Sequence, residues 1–424
     1  PWGAAMSTGA MRNSGIEWIG DVPALWEFKR LKYTSTLAGR IGWQGLTSEE
    51  YRTEGVYLVT GTDFKDGRID WGSCVRVSEA RWAEATQVQL EEGDLLITKD
   101  GTVGKVARCI DLPDKASLNS GVMVIRHKVP MSTYFLYWVL QSPVFSGWFS
   151  DVNAGASTIS HLYQADFYNF GFFIPPTVQE QEQVASLLDV ETAKIDQAMS
   201  LLRRELETLE QFKKSVIHEA VTKGLDPTVP MKPSGVEWIG EIPEHWGIKK
   251  LKYLCKMNSG MNLTSEEISE VGDYPVYGGN GIRGYYSKYN NDSSCVLVGR
   301  QGALCGNIQL GVAPFWATDH AVVVKELSGY GKKYAFYALT AMNLNRLSMA
   351  AAQPGLSVEK IICEFSPVPP SVEQESIASA LESKVVGIET VLETKYEQLE
   401  ILKQQRQSVI FEYVTGKRRV SEDA

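Results

Sequence analysis

Histidine is scarce in this chain and cysteine is scattered, and what is missing excludes several chemistries. The five histidines, His127, His161, His218, His245 and His320, include no H-E-x-x-H and no other paired spacing that holds a metal. The six cysteines, Cys74, Cys109, Cys255, Cys295, Cys305 and Cys363, include no C-x-x-C pair, so reduced and mostly buried thiols are expected. No G-x-x-x-x-G-K-[ST] loop occurs; in GTVGKV two residues separate Gly101 from Gly104, which does not make a nucleotide-phosphate cradle. Each Pro-Pro pair follows an aliphatic residue, Ile174 or Val368. The N-P-P-Y or D-P-P-Y tetrapeptide of an amino-group methyltransferase is therefore absent, as is its glycine-rich cofactor loop. No run of about eighteen apolar residues could span a bilayer, and the first residues lack the basic and apolar blocks of a signal peptide. A cytoplasmic protein with no membrane partner is expected, and residues 1–13 are set aside as an extension or tag.

Acidic charge does not settle the question of nucleic acid. The net charge is -9 over 424 residues, whereas phosphate binding needs Lys and Arg. The excess is spread unevenly: residues 14–174 carry 15 basic and 19 acidic side chains, and residues 234–368 carry 12 of each. A locally basic face remains open.

What the chain does contain, it contains twice. SGIEWIGDVPALWEFKRLKY from Ser14 returns as SGVEWIGEIPEHWGIKKLKY from Ser234, with twelve of twenty positions identical. IPPTVQEQEQVASLL from Ile174 is echoed by VPPSVEQESIASAL from Val368. The order A–B–A–B describes a tandem duplication whose brackets stayed alike while its two middles diverged.

After each Pro-Pro the pattern is that of a long helix. Leu188, Ile195, Leu202, Leu209 and Val216 recur every seven residues, joined by Met199, Leu206 and Ala220. A shift of 193 lands on Leu381, Ile388, Lys395, Leu402 and Val409, with Val385, Leu392, Leu399 and Tyr413 alongside. This is an a/d heptad seam, twice in register. A helix from about Val184 to Ala220 would extend about 55 Å, and its stripe needs a partner, for which the other helix is the natural choice over a separate globular surface. TKGLDPTVPMKPSG forms a Pro/Gly-rich connection into the second copy.

The middles read as mixed α/β modules. DLLITKDG, GVMVIRH, SCVLVGR and AVVVKE are short β-type runs, and STYFLYWVLQSPVF is the clearest helical stretch, its Tyr134, Phe135, Tyr137 and Trp138 assigned to the core. Lys99 and Lys105 in the first middle, and Arg300 and Gln301 in the second, stand on glycine-flanked turns after β-type runs, where side chains can enter a groove. Arg and Lys suit guanine edges and Gln suits adenine, with phosphate contact the alternative for each. YGGNGIRGYY, with Asn280 and Arg283, is a further candidate loop.

This layout resembles the specificity subunits of Type I restriction-modification systems. The resemblance rests on the G-x-E-W-I-G-x-x-P-x-x-W openings at Gly15 and Gly235, the PP-x-V helix entries, and the loops TKDGTVGKV from Thr98 and GRQGALCGN from Gly299. YPVYGGNGIRGYY at Tyr274 and GASTISHL at Gly155 add to it, the second middle having AQPGLSVEKI around Gly355 in that place. It adds Thr102, Ser157 and Thr158 to the DNA-binding candidates.

The resemblance implies a mixed α+β fold: two α/β target recognition domains joined by two long antiparallel coiled-coil helices in a pseudo-two-fold tandem repeat. The implied division is target recognition domain 14–173, conserved helical region 174–223, linker 224–233, second target recognition domain 234–367, second helical region 368–420 and tail 421–424. It implies no catalysis and no cofactor on this chain. Implied partners are double-stranded DNA with an asymmetric bipartite target, two modification subunits that methylate adenine with S-adenosylmethionine, and a nuclease-translocase subunit that uses ATP and Mg. Two other classes compete, a fused methyltransferase or nuclease and a non-catalytic coiled-coil scaffold that binds proteins.

Overall fold

The computed structural model describes residues 10–42, 45–154, 161–302, 304–348 and 355–418. Each duplicated bracket has become the frame of a separate unit, the first comprising residues 1–201 with 398–424 and the second residues 202–397.

In the first unit β1 (Glu27–Arg30) runs into the short α1 (Leu31–Thr34) and β2 (Ser35–Gly39), followed by β3 (Phe64–Lys65), β4 (Arg68–Ile69), β5 (Leu95–Thr98), β6 (Val106–Arg108) and β7 (Val122–His127). These make a six-stranded sheet in the order β2-β7-β5-β6-β4-β3. β5 is buried at all four residues, as a central strand covered on both faces must be. The stretch read as one helix is two, α2 (Thr133–Leu140) and α3 (Pro143–Val152). Ser142 accepts a hydrogen bond from the Val144 N–H and Pro143 stands at the first turn, a start signal that also ends the helix before it. Phe135, Tyr137 and Trp138 are buried as expected, whereas Tyr134 is only half-buried, its ring met by the Arg108 guanidinium at 3.9 Å. β8 (Gly171–Ile174) pairs antiparallel with β1 and leads into the 46-residue helix α4 (Val178–Lys223).

The second unit repeats this plan. β9 (Gly247–Lys250), β10 (Lys256–Ser259), β11 (Tyr274–Gly278), β12 (Gly281–Tyr286), β13 (Cys295–Gly299), β14 (Ile308–Gly311) and β15 (Ala321–Lys325) precede α5 (Lys332–Ala341), β16 (Phe365–Val368) and the 44-residue helix α6 (Ser371–Val414). A four-stranded sheet has the order β10-β15-β13-β14, and β16 pairs with β9 as β8 does with β1. All four β-type runs read from the middles are strands: β5, β7, β13 and β15. All six cysteines are free, five of them buried and Cys363 exposed.

Seam residues are buried along both long helices. Leu188, Ile195, Met199, Leu202, Leu206 and Ala220 lie at or below 9% exposure, as do Leu381, Val385, Leu392, Leu399, Val409 and Tyr413; Leu209, Val216, Ile388 and Leu402 are half-buried. Lys395, the polar interruption of the second seam, pairs with Glu205 at 2.5 Å, and Lys213 meets Glu389 at 3.6 Å. Within the second unit the partner numbers fall on one helix as they rise on the other, so the segments run antiparallel. In the first unit Asp196 takes the Arg406 guanidinium on both carboxylate oxygens.

Identical bracket residues keep identical jobs. Gln181 accepts from the Ser132 N–H and donates to the Pro175 carbonyl. Gln374 accepts from the Gly331 N–H and donates to the Gly329 and Pro369 carbonyls. Both are 2% exposed, and each ties the start of a long helix to the α/β body through groups that would otherwise be buried unpaired. The ends of the helices are matched too. Gly224 packs on Trp246 in the second unit, and Gly416, near the C-terminus, packs on Pro23 and Trp26 in the first.

His127 closes β7 with its Nδ1 3.1 Å from the Ser35 hydroxyl, while its buried Nε2 has no hydrogen-bond partner among the described residues. Burial pushes its pKa down from 6.5 to about 4. The unfolded chain takes up this proton first, so stability present above pH 6.5 is lost as pH falls towards about 4. In urea titrations His127→Gln should lose less stability between pH 7 and pH 5 than the parent; parallel losses would show that His127 carries no proton linkage.

Candidate nucleic-acid interface

The two glycine loops named from the sequence stand at corresponding strand ends on the same backbone scaffold. In the first unit the loop leaves β5: the Lys99 N–H donates to the Gly121 carbonyl, the Gly104 N–H to the Thr98 carbonyl, and the Leu162 N–H to the Lys99 carbonyl. In the second it leaves β13: the Arg300 N–H donates to the His320 carbonyl, the Gly306 N–H to the Gly299 carbonyl, and the Leu356 N–H to the Arg300 carbonyl. Leu356, of AQPGLSVEKI, therefore holds the place that Leu162, of GASTISHL, holds in the first unit. Gly101 and Gly104 have φ of 70° and 85°, and Gly302 and Gly306 have 90° and 89°, the left-handed conformation that favours glycine at both ends of each turn. Space beside Gly101 and Gly302 is open.

The side chains on this common frame differ. Thr102 and Lys105 are exposed and Lys99 half-exposed. The Thr98 hydroxyl braces the first loop by donating to the Thr102 carbonyl and accepting from the Lys105 N–H. A cleft of about 490 Å³ opens beside Lys105, lined by Phe64, Phe145 and Phe149 among others. On the second loop Gln301 is exposed and Arg300 half-exposed. The Arg300 fork is partly engaged within the unit, Nε donating to the Leu356 carbonyl at 3.1 Å and Nη1 to the Ser259 hydroxyl at 2.8 Å. These bonds fix the plane of the guanidinium, and its other N–H groups have no hydrogen-bond partner among the described residues. Arg300 also adds to the forces that hold the Glu359 carboxyl below its ordinary range, after the backbone and Ser357 hydrogen bonds.

Asn280 joins this second loop. It sits between β11 and β12 and accepts from the Asn307 side-chain amide at 2.5 Å, so two loops distant in sequence share one patch. Arg283, exposed on β12, folds over Gly278. Ser157 and Thr158 lie outside the described residues. Sequence reasoning missed Asn307 and the pair formed by His161 Nδ1 and Asp100 at 2.7 Å. Nothing local announced the first, but His161 stands within GASTISHL and Asp100 within TKDGTVGKV, passages already singled out. No group of His, Cys, Asp and Glu able to hold a metal occurs among the described residues, and no described helix is long and apolar enough to cross a membrane.

Comparison with known proteins gives the family. Residues 26–211 and 243–400 match the family described as Type I restriction modification DNA specificity domain. The chain belongs to that family, as a specificity subunit with one match to the domain in each half of its sequence. It is similar to the Type I restriction enzyme EcoprrI specificity subunit of Escherichia coli, 43% identical over 140 residues that span 32% of this chain and 35% of that one. It is similar along nearly its whole length to the putative type I restriction enzyme MjaX specificity subunit of Methanocaldococcus jannaschii, 24% identical over 95% of this chain and 96% of that one. A solved structure from work on complex assembly and conformational transition of the type I R-M system has the same fold, with TM-score 0.67 at 16% identity over 94% of this chain and 99% of the other.

Close approach of the two loops of the second unit requires glycine. A Cβ at position 299 would overlap the Gly279 carbonyl oxygen. Gly299→Ala should therefore lower unfolding stability by about 1–3 kcal/mol, the usual cost of overpacking; unchanged thermal melting would mean that the loops are not held together as described.

Proposed function

We propose that this specificity subunit reads an asymmetric bipartite DNA target, one half through each unit. The observation that carries the reading is the pair of glycine loops, which share a backbone frame and present Lys99 and Lys105 in one unit and Arg300 and Gln301 in the other. A common mount with different side chains suits two half-sites of different sequence, read through base edges, with backbone contacts setting the register. Lys99, Thr102 and Lys105 serve the first half-site, with Ser157 and Thr158; Arg300, Gln301, Asn280 and Arg283 serve the second.

The chain itself performs no chemistry in this account. It holds two modification subunits, which methylate adenine with S-adenosylmethionine after drawing the base out of the stack, and a nuclease-translocase subunit that uses ATP and Mg. The alike brackets provide two equivalent docking surfaces for the modification subunits, while the unlike middles give the target its asymmetry. The family membership and the duplicated frame support this over a scaffold that binds proteins alone.

Arg300 tests the reading. A bidentate base contact is worth about 1–3 kcal/mol of discrimination, whereas a phosphate contact weakens all sequences alike and lowers the salt slope by about one. Arg300→Ala in the assembled methylation complex should relax preference at one position of the second half-site and leave the first half-site unchanged. Affinities for single-base variants at several salt concentrations decide: uniform loss assigns Arg300 to the backbone, and no loss removes its loop from the DNA face.

A further inference from the structure

Five of the twelve identities between the two openings follow from backbone conformation or burial. Gly15 and Gly235 have φ of 75° and 72°, and Gly20 and Gly240 have 70° and 71°. Ile19 and Ile239, Trp26 and Trp246, and Leu31 and Leu251 are buried in matching places. Lys32-Tyr33 and Lys252-Tyr253 follow from neither. Tyr33 is 67% exposed and Tyr253 66%, and neither hydroxyl has a hydrogen-bond partner among the described residues. Each ring is met by the ammonium beside it, Lys32 Nζ 5.0 Å and Lys252 Nζ 4.8 Å from the ring centroid. Nearby surface positions have drifted apart between the copies, with Ala24, Leu25 and Glu27 facing Glu244, His245 and Gly247.

The mounting of each pair is the same. Leu31 and Lys32 donate their N–H groups to the Phe170 and Tyr168 carbonyls, and Leu251 and Lys252 donate theirs to the Glu364 and Ile362 carbonyls. The Thr34 carbonyl accepts from the Lys128 N–H as the Leu254 carbonyl does from the Ser328 N–H. Two exposed tyrosines, each with a lysine over its ring, are thus held out in one geometry, once per unit.

Strand register separates these pairs from the DNA-reading loops. In the first unit Ser35, just after Tyr33, pairs with His127 at one end of β2, whereas Gly39 pairs with Met123 at the other, beside the Thr98–Val122 pair from which the glycine loop departs. In the second unit Lys256 pairs with Lys325 at the Tyr253 end of β10, whereas Ser259, at the far end, accepts from Arg300. A strand of four or five residues, about 13–16 Å at about 3.3 Å per residue, lies between pair and loop. Phosphates beside a base pair read by those loops would lie nearer the other end of the sheet than these lysines.

We propose that Lys32-Tyr33 and Lys252-Tyr253 are duplicated anchors for a protein partner, the ring entering an apolar pocket and the ammonium facing a carboxylate on the partner's rim. Tyrosine is among the side chains that carry interface hot spots, and a lysine beside it suits the polar rim rather than the core of an interface. This rests on the reading above that two like subunits dock on the brackets, and it assigns one anchor to each modification subunit.

The test mixes the full chain with purified modification subunit and reads bound copies and affinity by native mass spectrometry and light scattering. The parent should take up two copies. Tyr33→Ala and Tyr253→Ala should each lose one copy at concentrations that saturate the parent, through an affinity drop of tenfold or more at one site, and the double variant should lose both. Thermal melting should be unchanged, because both rings are exposed. Should an alanine variant melt early, Lys32→Glu with Lys252→Glu carries the same test at the charge. No uptake by the parent would overturn the docking reading itself. Two copies retained by the double variant at parental affinity would overturn the anchors alone, as would unchanged stoichiometry with a uniform fall in DNA affinity, which would make the pairs phosphate contacts.

Discussion

Each unit depends on burial of the long helices' apolar stripes against a body that only part of each helix adjoins in sequence. In the second unit Ile217 and Val221 of α4 and Ile377, Leu381 and Val385 of α6 share one core with Trp246 and Tyr334. At about 25 cal/mol per Å² of buried apolar surface, such a seam outweighs what helix propensity alone supplies over this length. Ion pairs at its edge, such as Lys213 with Glu389 and Lys395 with Glu205, are exposed enough to add little energy and serve to fix register. The brackets stay alike because this packing leaves them little freedom; the glycine loops, outside the core, have more.

The loops gain precision from backbone rather than side-chain bonding. Where Lys99 and Arg300 stand, their N–H and carbonyl groups are committed to partners across the unit, so the side chain can change without moving the turn. A rigid frame with exchangeable residues is the arrangement expected of a module that is re-specified by substitution. The same frame limits what each residue can do: Arg300 is held by Leu356 and Ser259, which costs it freedom and gives its remaining donors a direction.

Much of this was legible in the residues. Periodicity found the helix seams, short aliphatic runs located β5, β7, β13 and β15, and the duplicated passages marked the frame of each unit, because all of these are local patterns imposed by repeated burial. The break at Ser142-Pro143 was a local signal passed over in favour of a continuous aromatic run. Other features have no local signature. Gly416 reaching Trp26, Lys417 donating to the Ile19 carbonyl and Asn307 holding Asn280 join residues far apart in sequence, and pairing at that distance is set by topology. The Arg300 fork looked free in sequence because both of its holders, Ser259 and Leu356, are more than forty residues away.

The central claim is that two differently equipped readers on one chain define one target. The most direct measurement is single-base sequencing of methylated adenine in DNA exposed to the assembled complex. The account predicts two short, different sequences separated by a fixed run of unspecified base pairs, each changing independently when the loop of its own unit is altered. A single uninterrupted sequence, or a palindrome with identical halves, would contradict it.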